Sequence, residues 1–448
     1  MAQQQIAASI FDINIGARTM LLVSLALLAI LTIVPAAQSQ TFTVLHTFTG
    51  AMDGAAPAAG LTRDAAGNFY GTTGYGGSGT GVCAASGCGT VYKLVRRGSG
   101  WVLNPIYEFT STNQGPFNPE ARIVFGPDGS LYGTTVNGGT CGPYWCGTVY
   151  KLQPPASFCR SVMCPWSLTV VHMFAGGSDG AFPYSDLTFD QDGNIYGTTS
   201  GDGDSSCVIA GTAGCGTVFE LTHNPDGTWT NTTLWEFHGG SDGAIPYAGV
   251  VLDQAGNVYG VSNAGGIGTC NYNRGCGSIY KLSPSGSGWV ETTLHEFTGE
   301  ADGGSPYGGL TFDSAGNIYG AAAYGGAGLG TVYELTPNHG SWSFSVIYAF
   351  TGTQADGPES ALTMDAAGNL YGTSLGGGNN GGFGTVYKLT PSGGGWTYSS
   401  LHDFDLQGSD GGLVYGSVAL DAVGNVLGVT ISGPYPSPDD GVLFEISP

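Results

Sequence analysis

Basic residues are scarce in this chain: Lys and Arg number 11 among 448 residues, against 33 Asp and Glu, for a formal net charge of −22. With so few cations and no basic stripe to neutralise phosphates, nucleic acid is excluded as a partner class. An acidic exterior tolerates cations and repels anionic polymers unless a local patch reverses the field. Long apolar runs are absent after residue 34, so no membrane span is expected in the mature chain. Signatures of common enzymes are missing as well. There is no Gly-x-Ser-x-Gly elbow, no phosphate-cradling loop and no His-x-x-x-His metal pair, which leaves hydrolase and nucleotide chemistry without a linear motif.

What the N-terminus does contain reads as an export signal. Arg18 precedes the apolar run Thr19 to Val34, and Pro35-Ala36-Ala37-Gln38-Ser39 offers small residues for cleavage. Residues 1–39 are therefore expected to be a signal peptide and residues 40–448 a single domain, secreted or held on the extracytoplasmic surface. An uncleaved N-terminal anchor is the competing reading. The ten cysteines agree with export, because they fall into five close pairs: Cys83 with Cys88, Cys141 with Cys146, Cys159 with Cys164, Cys207 with Cys215 and Cys270 with Cys276. Their spacing lacks the Cys-x-x-Cys geometry of zinc ribbons, so local disulfides are expected, each worth ~2 kcal/mol in the chain-entropy account.

Gly (80) and Pro (22) are abundant, but 41% hydrophobic residues, 11% aromatic residues and periodic spacing argue against disorder. One phrase recurs seven times: Asn68-Phe69-Tyr70-Gly71-Thr72-Thr73, then copies starting at Ser130, Asn194, Asn257, Asn317 and Asn369, and a worn copy at Asn425. Each is followed by a second phrase such as Gly89-Thr90-Val91-Tyr92-Lys93-Leu94. Two further extended runs per repeat give four strands, all rich in Thr, Val, Tyr and Phe and separated by turn residues. Four strands per period of about 50 to 65 residues match a propeller blade, so the fold class is all-β, a seven-bladed β-propeller. Thr41 to Phe48 copies the fourth strand of a blade and Val442 to Ile446 copies the third, so the N-terminal strand is expected to close the last blade.

The turn Asp64-Ala65-Ala66-Gly67-Asn68, with counterparts at Asp253, Asp313, Asp365 and Asp421, reads as a hairpin in which Asp bonds the backbone and Gly takes positive φ. Asp190-Gln191-Asp192-Gly193-Asn194 is read the same way. A calcium loop would need Gly where Ile195 stands. The recurring phrases resemble the GloVer tandem repeats of bacterial choice-of-anchor proteins over residues 41–448. That resemblance implies a surface or secreted propeller, often with a C-terminal anchoring segment. Here Pro448 directly follows a blade strand, which leaves release or N-terminal attachment as the expectation.

By analogy with other propellers, the loop coming into each blade and the loop joining its second and third strands share one face, where ligands bind. On that face the incoming loops carry Asp-Gly at Asp53, Asp179, Asp242, Asp302, Asp356 and Asp410, with Gln114 in the second blade, and Pro-Tyr at Tyr184, Tyr247 and Tyr307. Carboxylates with interspersed aromatics suit a cation or a stacked sugar; the structural alternative is a repeated corner. Positions that break the repeat are Gln114, Tyr144, Trp145, Asp202, Asp204 and the loop from Cys270 to Cys276, which marks the rim of blades two to four as a candidate contact surface. His46, His172, His295 and His402 share a slot with Tyr107, Trp235 and Tyr348, which reads as packing. The expected function is a non-catalytic module binding glycan or extracellular protein, as a monomer and without a cofactor, a structural cation being left open. A carbohydrate-active lyase or hydrolase and a purely structural surface protein are the alternatives, since two carboxylates on separate blades leave no linear signature.

Overall fold

The computed structural model describes residues 40–79, 81–110, 114–141, 145–155, 166–209, 212–405, 409–433 and 440–447. Residues 1–39, the expected export signal, and Tyr144 lie outside them. Seven four-stranded antiparallel sheets form the blades of a propeller ring. Blade 1 consists of Thr62–Arg63, Phe69–Thr73, Thr90–Arg97 and Gly100–Glu108, in that order from the channel outwards. Blades 2 to 6 repeat this order. Blade 7 takes its outer strand, Thr41–Thr47, from the N-terminus and places it beside Val442–Ser447, as the strand order in the sequence required.

The two recurring phrases face one another. Phe69–Thr73 is buried throughout and pairs with the third strand so that Gly71 stands opposite Tyr92. Tyr92 lies fully buried across Gly71, and a Cβ there would come within 2.4 Å of the Tyr92 hydroxyl. The same Gly–aromatic pair recurs at Gly260/Tyr280 and, with Phe in place of Tyr, at Gly197/Phe219. Phe serves equally well, so the position requires the ring and not the hydroxyl.

The paired threonines divide two tasks. Thr72 Oγ1 donates to Ala121 O of the next blade at 3.1 Å, while Thr73 Oγ1 meets Thr90 Oγ1 within its own blade at 2.9 Å. Each of seven buried apolar clusters draws on two neighbouring blades; one joins Tyr70 and Val91 of blade 1 to Ile123 and Tyr150 of blade 2. Stability is thus distributed over the blade junctions, as expected for a repeat array that closes on itself.

The hairpin aspartates behave as read. Asp64 accepts from Asn68 N at 2.8 Å and Asn68 Nδ2 at 2.7 Å, and Asp190 does the same with Asn194 at 2.8 and 2.9 Å. Among the described residues four disulfides are present, Cys83–Cys88, Cys141–Cys146, Cys207–Cys215 and Cys270–Cys276, each in the loop between second and third strands of blades 1 to 4. The fifth expected disulfide, between Cys159 and Cys164, is not among them, because Cys159 lies outside the described residues and so does Cys164. In sequence that pair also differs from the other four: Cys159 and Cys164 fall between the third and fourth strands of blade 2, Thr148–Gln153 and Ser167–Met173, and not between a second and a third. Among the described residues no helix is long and apolar enough to cross a membrane.

Candidate functional site

The incoming loop and the loop after the second strand do share one face, tied by backbone bridges such as Ala55 with Tyr75, Ala244 with Ala264 and Gly304 with Tyr324. Two rings of side chains are built there, and they differ in chemistry.

The first ring contains the Asp-Gly corners. Asp53 accepts from Thr49 N at 3.0 Å and Thr49 Oγ1 at 2.6 Å, and His46 Nε2 lies 2.9 Å from it. Asp179 accepts from Ala175 N at 2.7 Å and Asn231 Nδ2 at 2.5 Å, with His172 Nε2 at 3.0 Å. Burial would raise the Asp179 carboxyl, but the bonds from His172, Ala175 and Asn231 outweigh it and hold the group below the usual carboxylate range. Asp242 receives His238 N at 2.8 Å and Trp235 Nε1 at 3.3 Å, Asp302 receives Thr298 N at 2.9 Å with His295 at 3.1 Å, and Asp410 lies 2.7 Å from His402. Each carboxylate therefore closes its own loop onto the preceding outer strand, and the histidine slot does more than pack.

Asp356 does not occupy a corner. It is exposed and lies in a short pairing of Ala355–Asp356 with Gly376–Gly377. Gln354 closes that loop instead, accepting from Thr351 N at 3.0 Å and donating through Nε2 to the Tyr348 hydroxyl at 2.7 Å. Where the outer strand presents His or Trp the corner is Asp, and where it presents Tyr348 the corner is Gln354; in sequence Gln114 likewise follows Tyr107 in blade 2. An amide can donate to a phenol oxygen and a carboxylate cannot.

The second ring lines the mouth of the central channel, where each incoming loop turns into the inner strand. Its members are Ala58, Glu120, Tyr184, Tyr247, Tyr307, Glu359 and Tyr415, one per blade, around a cavity of about 200 Å³. Proline precedes six of the seven, and this Pro is held in place by its neighbour blade. Gly89, Gly147, Gly216 and Gly330, each of which opens a third strand at positive φ, leave room for Pro119, Pro183, Pro246 and Pro358. A Cβ on Gly216 would lie 2.7 Å from Pro246 Cδ. The residue before the Pro is also unusual: Ala56, Asn118, Phe182, Ile245 and Ser305 all take φ between 51° and 59°. The nitrogens of the last four are bonded to carbonyls of Cys88, Cys146, Cys215 and Cys276 in the preceding blade, at 2.8 to 2.9 Å. The second cysteine of each of the four disulfides thus holds the next blade's strained residue, and through it the mouth side chain.

Tyr184, Tyr247 and Tyr307 form a contiguous arc. Tyr184 meets Tyr247 edge-on at 5.5 Å between centroids, and Tyr247 stacks on Tyr307 at 5.5 Å and 19°. Glu120 and Glu359 flank that arc, and neither carboxylate has a hydrogen-bond or ion-pair partner among the described residues. Burial raises Glu120 and pushes Glu359 up to about 7. Burial also pushes Tyr184 and Tyr307 up to about 12, the charge of the adjacent glutamate adding to it in each case. Deeper in the channel Arg122 Nε donates to Asp186 Oδ2 at 2.9 Å, so that arginine is neutralised.

Of the residues singled out in the sequence, the structure gathers Tyr184, Tyr247 and Tyr307 and keeps Asp53, Asp179, Asp242, Asp302 and Asp410 apart in separate corners. Trp145 is 37% exposed and edge-packed on Phe117 at 5.1 Å, and Asp204 accepts from Ser206 N and Oγ at 2.8 and 2.9 Å; both stand on outer loops and not among the channel-lining residues. Asp202 adopts φ 59° beside Cys141 and Cys146. Glu120, Glu359 and Tyr415 were missed, although Pro119-Glu120 and Pro358-Glu359 fill the slot of Pro-Tyr and would have been found by aligning on the proline.

The profile described as Gloeobacter/Verrucomicrobia repeat matches residues 30–210 and 206–444. No curated protein matches by sequence. Among solved structures, an ulvan lyase of polysaccharide lyase family PL25, bound to -[GlcA(1-4)Rha3S]-, is similar at 10% identity and TM-score 0.53, over 90% of this chain and 95% of its own. A putative glucose dehydrogenase of Thermus thermophilus is similar at 13% identity and TM-score 0.46, over 91% of this chain and 100% of its own. A putative 6-phosphogluconolactonase of Bacteroides uniformis ATCC 8492 is similar at 16% and 0.45, over 75% and 84%. At 10% identity the likeness to the lyase is one of fold alone.

Proposed function

The chain belongs to the Gloeobacter/Verrucomicrobia repeat family, and on that footing we propose that it is an extracytoplasmic binding module that takes a saccharide ring at the mouth of its channel. The observation that carries this reading is the arc of three tyrosines flanked by two unpartnered glutamates. Aromatic faces accept the apolar face of a sugar, and carboxylates accept its hydroxyls. A cavity of about 200 Å³ suits one ring or headgroup and is too small for a protein segment of any length. The close cysteine pairs, four of them bonded, support an oxidising compartment. The test is isothermal titration of residues 40–448 with a panel of oligosaccharides. A saturable ligand whose affinity falls by ~10-fold or more in Tyr247→Leu supports the mouth as the site. A ligand that binds Tyr247→Leu as tightly as wild type moves the site elsewhere.

One observation favours a second reading, catalysis. With its carboxyl pushed up to about 7 by burial and no partner among the described residues, Glu359 keeps a share of its proton near neutrality and is suited to protonate a leaving glycosidic oxygen. New reducing ends, or unsaturated products absorbing in the ultraviolet, after incubation with polysaccharide would favour the enzyme. Their absence with a ligand that binds would favour the module.

A further inference from the structure

We infer that the channel mouth recognises an ammonium group, carried by an amino sugar. The inference rests on the saccharide reading for the carrier and on the charge and ring arrangement for the ammonium. Charge comes first. The channel lining contains three carboxylates, Glu120, Asp186 and Glu359, and one cation, Arg122, so with all groups ionised its balance is −3 + 1 = −2. Asp186 and Arg122 cancel through their 2.9 Å contact, which leaves the excess on the two glutamates at the ends of the tyrosine arc. A partly buried carboxylate without a donor is costly to ionise unless a counter-charge arrives. Nothing in the protein's own lining supplies one, and the chain as a whole is poor in cations.

Ring geometry points the same way. Cations are drawn to the faces of aromatic rings, and an aromatic cage with a nearby carboxylate is a known means of holding a quaternary or primary ammonium. The mouth presents Tyr184, Tyr247 and Tyr307 as one wall, with Tyr415 across from them and 40% exposed. Glu359 acts on both Tyr307 and Tyr415, and Glu120 on Tyr184, so each carboxylate lies close to the wall that an ammonium would touch. Among the tyrosines of the mouth, Tyr247 also feels Arg274 from the disulfide loop of blade 4, a cation outside the lining. An anionic sugar would face the two glutamates; an ammonium sugar relieves them.

The experiment is a titration of the 40–448 chain with four probes: choline, glucosamine tetramer, N-acetylglucosamine tetramer and trigalacturonate. Choline and the glucosamine tetramer are expected to bind, the acetylated tetramer ~10-fold more weakly or less, and trigalacturonate least of all. Glu120→Gln and Glu359→Gln are each expected to weaken choline by ~10-fold without lowering the thermal midpoint, since the change is isosteric and removes an unpartnered charge. Choline keeps its charge at every pH, so its affinity should rise as pH passes through about 7 in the wild type and stay flat there in Glu359→Gln. An acetylated tetramer that binds as tightly as the amine overturns the ammonium inference and leaves the saccharide reading intact. Choline binding with no saccharide binding supports the ammonium pocket and sinks the saccharide reading. No binding by any probe overturns both.

Discussion

The corner ring and the mouth ring lie on the same face, recur once per blade and are set by neighbouring stretches of the same loops, yet they differ in chemistry. In the corners the side chain is Asp or Gln and its bonds are internal: Asp53, Asp179, Asp242 and Asp302 each accept a backbone nitrogen of their own loop, and Gln354 does so in blade 6. At the mouth the backbone is constant and the side chain varies, from Ala58 through Glu120 and three tyrosines to Glu359 and Tyr415. A position that repeats with its partners satisfied is accounted for by folding. A position that repeats in backbone and diverges in side chain, leaving carboxylates unpartnered, is not accounted for by folding, and the proposed binding role rests on that difference.

The largest effect is expected where the scaffold behind the mouth is attacked. Gly216 has φ 89°, and a Cβ would lie 2.3 Å from Thr199 O and 2.7 Å from Pro246 Cδ. Gly216→Ala should cost ~4 kcal/mol or more, read as a lowered urea midpoint, because both the backbone conformation and the blade contact are violated. A midpoint equal to that of the wild type would mean that the Pro–Gly contact is dispensable and the mouth is not held as described. The next effect is expected from Cys270→Ser with Cys276→Ser. Opening this short span costs ~2 kcal/mol in the chain-entropy model, and it also loosens the carbonyl of Cys276 that holds Ser305 N at 2.8 Å. Ligand affinity at the mouth should fall with it, since Tyr307 follows two residues later; unchanged affinity would uncouple the staple from the site.

Asp302→Ala sharpens the comparison from the other side. It removes the acceptor of Thr298 N and of His295 and should cost ~1–2 kcal/mol in stability, with no change in ligand affinity of the folded protein. Loss of binding at unchanged stability would return the aspartates to the site.

Much of this arrangement was legible in the sequence, for physical reasons that differ by element. Blade number, strand order and the N-terminal closure follow from a repeat whose Gly–Tyr and Thr–Thr pairs are local. They are written close together in the chain, as Gly71 with Tyr92 and Thr73 with Thr90 show. The disulfides joining Cys83 to Cys88 and Cys270 to Cys276 are local too. The mouth is not. Its seven members are separated by whole blades, and their common feature is a backbone slot that follows a positive φ, with Pro between in six of the seven, so Glu120 and Glu359 look unrelated to Tyr247 until the proline is aligned. The Asp-Gly dipeptide misled at Asp356 because the loop after Tyr348 has a different length, and the hydrogen bond follows geometry and not the dipeptide.

The smallest effect is on stability alone, and its sign separates the two rings. Glu359 is raised from its ordinary value of 4.5 to about 7 by burial, so between those values the folded protein holds more protons at this group than the unfolded chain does. Stability from Glu359 is therefore fully present in acid and is lost as pH rises from about 4.5 through about 7. His295, in a corner, is lowered by burial despite the bond and charge of Asp302, so the unfolded chain holds more protons there, and its contribution is lost as pH falls below the ordinary 6.5. Glu359→Gln should consequently leave the thermal midpoint near that of the wild type at pH 5 and raise it by a degree or more at pH 7.5, while His295→Phe should flatten the acid side and leave the neutral side unchanged. Thermal scans of both variants at the two pH values decide the matter. A Glu359→Gln midpoint that falls at pH 7.5 would show the carboxylate to be partnered, and the contrast between a satisfied corner and an unsatisfied mouth would fail with it.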